Sequence, residues 1–144
     1  MLKEEHELTK DGRILRKKDV LPTVKPQKNT FKGNIYILCS GKTYSGGSEF
    51  VSIAKSYSNA IIIGEETGGG FYGQTSGSYV QLLLPNSQLK VRIPLLKFYT
   101  TFTSDKIPFG RGVIPDYEVE PTFEEYINGT DSELEFALKH INKK

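Results

Sequence analysis

The segment Ser40-Gly41-Lys42-Thr43-Tyr44-Ser45-Gly46-Gly47 carries residue types suited to nucleophilic chemistry. Ser45 stands between an apolar run and a helical repeat, so its hydroxyl falls at a predicted helix amino terminus. Backbone N–H groups there have no intrahelical partner and sit at the positive end of the helix dipole. Such donors stabilise an oxyanion that develops beside the hydroxyl. Glycine at 46 and 47 lets a substrate backbone approach closely. The pattern resembles a nucleophile elbow with Thr43 in place of its first glycine. A structural reading of the same residues has Ser45 or Ser48 capping the helix. Gly64-Glu65-Glu66-Thr67-Gly68-Gly69-Gly70 follows the next apolar run. It lacks the lysine and hydroxyl ending of a phosphate-binding P-loop, and reads as a loop whose glycines supply positive φ.

A serine nucleophile needs a base within hydrogen-bond reach. The sequence has two histidines, His6 and His140, one near each end. His140 falls on a helical stretch, where a solvated imidazole is the simple reading. The single cysteine, Cys39, cannot form an internal disulfide and reads as a small core residue within an apolar run. No Cys/His set has zinc-ligand spacing, so neither a metal nor a cofactor is expected.

The 144 residues include 19 basic and 17 acidic side chains, a formal charge of +2, and 37% are hydrophobic. That balance is globular rather than disordered. It offers no concentrated basic face for nucleic acid. No apolar run reaches the roughly 18–20 residues of a membrane span.

The elements that position Ser45 follow from hydrophobic spacing. Residues 34–39, Asn-Ile-Tyr-Ile-Leu-Cys, form a short apolar run bounded by small residues, a predicted buried strand. Phe50, Ile53, Ala54 and Tyr57 recur at i, i+3, i+4 and i+7, a helix with one apolar stripe. Ala60-Ile61-Ile62-Ile63 is a second buried strand ended by Gly64. Strand, tight loop, helix and strand make a βαβ unit with parallel strands. Residues 79–84 and 89–93 then flank Pro85-Asn86-Ser87-Gln88 as a hairpin, and a further extended piece runs from Leu96 to Phe102. Thr130 and Glu133 have capping-box spacing before a helical stripe of Leu134, Ala137, Leu138 and Ile141. The predicted class is α/β, with parallel and antiparallel strands in a mixed sheet.

Residues 1–32 read as a variable connecting segment, and order begins at Gly33. The amino terminus lacks the apolar stretch of a signal peptide. Asp11-Gly12 signals a small hairpin turn. Arg13, Arg16, Lys17, Lys18, Lys25, Lys28 and Lys32, interleaved with Pro22 and Pro26, read as a solvated stretch rather than a polyanion patch. Asn128-Gly129-Thr130 has the form of a glycosylation sequon but coincides with a turn and a helix cap. Asp116 reads as a structural turn residue.

Three stretches together resemble the C-terminal processing (tail-specific) serine peptidases. They are the strand and serine loop from Asn34 to Phe50, the stretch Ile62 to Gly70, and Lys97-Phe98-Tyr99-Thr100 with Gly110 to Val119 downstream. Gly64 follows Ser45 by 19 residues, the interval of that family. The resemblance implies a ClpP/crotonase-like core and a serine-type endopeptidase acting on protein or peptide substrates. It implies Ser45 as nucleophile, the Gly46 N–H as an oxyanion donor, and Gly68, Gly69 and Gly70 as substrate-binding residues.

In the branch with a serine-lysine dyad, the base stands where this sequence has Gly70. Lys42 and Lys97 are the nearest lysines, and neither matches that position. The glycine loop is more similar to the tricorn-like and retinoid-binding-protein-like branch, which uses a histidine from far upstream. That branch also places an orienting glutamate where Phe109 stands. The chain then corresponds to the carboxy-terminal part of the catalytic domain, residues 33–144, with the upstream part as its partner and no peptidase activity alone. The family suggests a periplasmic, cell-envelope or secreted setting. A non-catalytic binding module on the same fold is the alternative, and an acyl-CoA enzyme of the crotonase type a more distant one.

Overall fold

A computed structural model describes residues 2–17, 19, 24–100 and 104–142, which fall into two units, Met1–Gly33 and Asn34–Lys144. In the first, helix α1 (Leu2–Glu5) leads into β1 (His6–Leu8), which pairs antiparallel with β2 (Ile14–Arg16). The expected turn forms at Gly12, whose φ of 82° suits glycine. Asp11 accepts from the Thr9 hydroxyl and from Arg13 Nε, and the Thr9 bond chiefly holds its carboxyl below the ordinary value. Arg16 lies 3.6 Å from Glu5. Two of the basic residues therefore face carboxylates of their own unit, while Lys25, Lys28 and Lys32 are exposed. Lys18 and Pro22 lie outside the described residues.

The second unit is built on β3 (Tyr36–Cys39), α2 (Gly46–Tyr57) and β4 (Ile61–Gly64). The two strands are parallel, with Ile37 opposite Ile62 and Cys39 opposite Gly64, as the apolar runs predict. A short third strand, β9 (Tyr117–Glu118), adds parallel to β4. Central β4 is the most buried strand of the three, which is why its sequence is an unbroken Ile-Ile-Ile rather than an alternation. Alternate side chains leave opposite faces. On one face Cys39 and Ile62 pack with Val51 of α2, Phe71, Ile107 and Val113. Helix α4 (Ser132–Asn142) covers the other, where His140 meets the Tyr36 and Tyr117 rings.

Four expectations need correction. First, the described strands form no single mixed sheet. Antiparallel pairs stand apart from the parallel sheet: β5 (Gly73–Thr75) with β8 (Lys97–Tyr99), and β6 (Tyr79–Leu83) with β7 (Lys90–Pro94). The chain leaves the parallel sheet at Gly64, where φ is 122° and a Cβ would overlap the Cys39 carbonyl oxygen. The hairpin itself forms where expected. The extended piece at Leu96–Phe102 is strand only at Lys97–Tyr99, and residues 101–102 lie outside the described ones.

Second, α2 does not bury its apolar stripe. Phe50, Ile53 and Tyr57 are exposed, and the helix instead buries Ser48, Val51 and Ser52. Small side chains allow close packing, and both hydroxyls are satisfied within the helix, Ser48 on Ser45 O and Ser52 on Ser48 O, each at 2.8 Å. Third, Asp131 rather than Thr130 caps α4, accepting from Leu134 N–H at 2.9 Å. Thr130 is engaged one element earlier, its N–H donating to Glu125 O as α3 (Phe123–Asn128) ends on left-handed Gly129. A capping box does form, between Thr122 and Glu125. Fourth, His140 is half-buried among rings rather than solvated.

Candidate active site

Ser45 sits between β3 and α2 in a backbone conformation of φ 54° and ψ −127°. A residue with a Cβ adopts that region only under constraint, and such strain marks the nucleophile position of strand–turn–helix elbows. The turn before it is tied by side chains. Ser40 N–H donates to Thr43 Oγ1 at 3.0 Å, and Thr43 N–H to Ser40 O at 2.8 Å. Thr43 thus supplies, through its hydroxyl, a tight turn where other elbows use glycine. Neither candidate serine caps α2. Ser45 makes no side-chain cap bond, and the Ser48 hydroxyl donates backwards to Ser45 O. Ser45 is exposed. Gly47 N–H donates to Tyr44 O and Glu49 N–H to Ser45 O, both at 3.0 Å. The Gly46 N–H takes part in none of the described hydrogen bonds, and space beside its Cα is open.

The glycine loop is folded onto this turn. Gly69 N–H donates to Thr43 O at 3.0 Å. A Cβ on Gly69 would overlap Ser48 Oγ and stand 3.3 Å from Ser45 N. One on Gly68 would overlap Gly41 O and meet the Tyr44 ring at 2.5 Å. Gly70 bridges Gly112. Positive φ is not the reason for these glycines, since only Gly64 of the loop has it. Close approach of two backbones is the reason.

Three residues beside those glycines, which sequence reasoning left without a role, hold the assembly together. Gly41 N–H donates to Glu65 Oε2 at 2.8 Å, fastening the serine turn. Arg111 forks onto Glu66, which also accepts from Gly112 N–H at 2.7 Å. The Arg111 hydrogen bond is the main cause that keeps the Glu66 carboxyl below its ordinary value. Thr67 is buried; its hydroxyl donates to Gly69 O and accepts from Val113 N–H, both at 2.8 Å. The only sequence signal for these was two acids and a hydroxyl directly before three glycines. Asp116 accepts from Ile62 N–H at 2.9 Å and pairs with Lys55 at 2.6 Å, the structural part expected of it.

Burial pushes the Cys39 thiol up to about 11, and its Sγ lies 3.2 Å from Glu65 O, as suits a core residue. His140 packs on Tyr36, the first residue of β3, whereas Ser45 lies beyond the other end of that strand. His6 lies on β1 opposite Arg16, in the other unit. Among the described residues no group of three His, Cys, Asp or Glu side chains could hold a metal ion. No described helix is long and apolar enough to cross a membrane.

An α/β domain with a strained serine before a helix and a glycine loop against it has the parts of a hydrolase. The chain belongs to peptidase family S41, whose family model matches residues 2–119. Membership agrees with the resemblance read from the serine, glycine and closing stretches, and makes hydrolysis of peptide bonds the family chemistry. No curated protein matches the chain.

Proposed function

We propose that this protein is a serine-type endopeptidase with Ser45 as its nucleophile. The strained backbone of Ser45, exposed at the start of α2 with the glycine loop against it, is the observation that carries this reading. In it, Ser45 Oγ attacks the scissile carbonyl carbon and the Gly46 N–H donates to the resulting oxyanion, reinforced by the helix dipole. Gly68, Gly69 and Gly70 border the substrate path, and Gly69 also keeps the two loops in contact. The core is of the ClpP/crotonase-like type, on the tricorn-like side of the family, since Gly70 stands at the position of the dyad lysine. A histidine serves as base in this reading, as on that side of the family. Cleavage then produces an acyl-enzyme at Ser45 and a free amine, and water releases the acyl group.

The test is hydrolysis of an unstructured protein by the full-length protein and by its Ser45→Ala variant. Cleavage that disappears in the variant supports the reading. Cleavage that survives overturns the nucleophile assignment. No cleavage by either, with retained peptide binding, favours the alternative of a non-catalytic binding module, which the glycine at 70 motivates.

A further inference from the structure

Beside Gly70 lies a cavity of about 60 Å³ walled by glycine backbone and aromatic rings. At Gly73 φ is 135° and a Cβ would overlap the Phe98 carbonyl oxygen, so this wall admits only backbone. The Tyr72 ring is fixed by its hydroxyl, whose single proton is shared between the carbonyls of Ser104 and Ile107, and it stacks on Phe109 with centroids 5.9 Å apart. Two cations line the same cavity. Arg111 is engaged by Glu66. Lys97 has its Nζ 4.8 Å from the Tyr99 ring centroid and 5.9 Å from that of Phe109, and no carboxylate among the described residues lies within ion-pair distance of it. Ring faces orient an ammonium without neutralising it.

The cavity is close to the serine. Gly70 directly follows Gly69, where a Cβ would stand 3.3 Å from Ser45 N, so the Gly70 edge is within roughly 9 Å of the Ser45 backbone. Two or three residues of extended peptide span that distance.

We propose that this cavity is a carboxylate subsite of the peptidase, with Lys97 as counter-ion. It takes the carboxylate of a peptide substrate within two or three residues of the bond presented to Ser45, from an acidic side chain or from the chain terminus. An ammonium held against rings, with no carboxylate partner among the described residues, forms a charge-assisted hydrogen bond with such a group, which an amide of equal shape cannot match. The proposal rests on the peptidase reading for the placement of substrate, but binding can be read without cleavage.

The experiment uses the Ser45→Ala protein and follows the backbone amides of Gly70, Gly73 and Gly110 by nuclear magnetic resonance. The probes are acetylated tripeptide amides with a central Asp or Asn, and tripeptides without acidic side chains with free or amidated termini. The carboxylate forms are expected to shift these amides and to bind about tenfold more tightly than the amides. That preference is expected to vanish in Lys97→Met and persist in Lys97→Arg. A preference confined to the Asp peptide identifies a side-chain subsite, and one confined to the free terminus a tail subsite. Equal binding of acid and amide, or a preference that survives Lys97→Met, overturns the proposal. A preference accompanied by no Ser45-dependent cleavage overturns the peptidase reading and leaves the subsite standing.

Discussion

The turn at residues 40–48 and the loop at 64–70 meet backbone to backbone, with Gly69 bonded to Thr43, Glu65 to Gly41, and Thr67 to both Gly69 and Val113. The β6–β7 ribbon of the same unit pairs only with itself, and all ten of its residues are exposed. One of its faces is aliphatic, from the cross-strand pairs Val80–Ile93 and Leu82–Val91. The other holds Tyr79 under the Arg92 guanidinium, 4.5 Å from the ring centroid. In the first region a side chain is excluded at several positions by an atom already in place. In the second, register alone organises the residues, and a two-stranded ribbon is marginal without a covering layer. Tight specification therefore coincides with the candidate site, and loose specification with the exposed, self-paired ribbon.

This contrast predicts a ranked series of substitutions, read by urea unfolding. Gly69→Ala is expected to cost about 3 kcal/mol, because a Cβ would overlap Ser48 Oγ and push on Ser45. A loss below about 1 kcal/mol would mean the two loops can separate cheaply. Thr67→Val is expected to cost about 2 kcal/mol, since a buried N–H and a carbonyl lose their shared hydroxyl. A neutral result would break the claim that this hydroxyl organises the loop.

The next effect is smaller and depends on pH. Glu66 has a lowered carboxyl value in the folded chain, chiefly through Arg111, so the folded state binds fewer protons than the unfolded one in the acid range. Its contribution is present above the ordinary carboxylate value and is lost as pH falls through the folded value. Wild-type stability is expected to decline more steeply with acid than that of Glu66→Gln, and parallel curves would remove Glu66 from the assembly. Leu82→Thr on the aliphatic ribbon face is expected to change stability by no more than about 0.5 kcal/mol. A cost above about 1.5 kcal/mol would show the face to be covered and would end the contrast.

Legibility in the sequence followed the same division. Apolar runs bounded by small residues gave β3 and β4 with their parallel pairing, because hydrophobic length and a chain break are local properties. Ser45 could be singled out because its place between strand and helix is also local. The face of α2 was misjudged, since burial of Ser48 and Ser52 depends on small size against a facing loop rather than on hydrophobicity. Roles for Glu65, Glu66 and Thr67 were hidden because their partners, Gly41, Arg111, Gly112 and Val113, lie 24 to 46 residues away. Separation of the antiparallel ribbons from the parallel sheet was invisible for the same reason: strand pairing is decided by where the chain turns at Gly64.

The central claim is that the strained serine at position 45 is a nucleophile. Its most direct test is covalent labelling of the full-length protein with a serine-directed fluorophosphonate, followed by peptide mass mapping. The account predicts one adduct, on Ser45, that is lost in Ser45→Ala and leaves Ser48 and Ser52 unmodified. An intact protein without any adduct, or with its adduct on another serine, would contradict it.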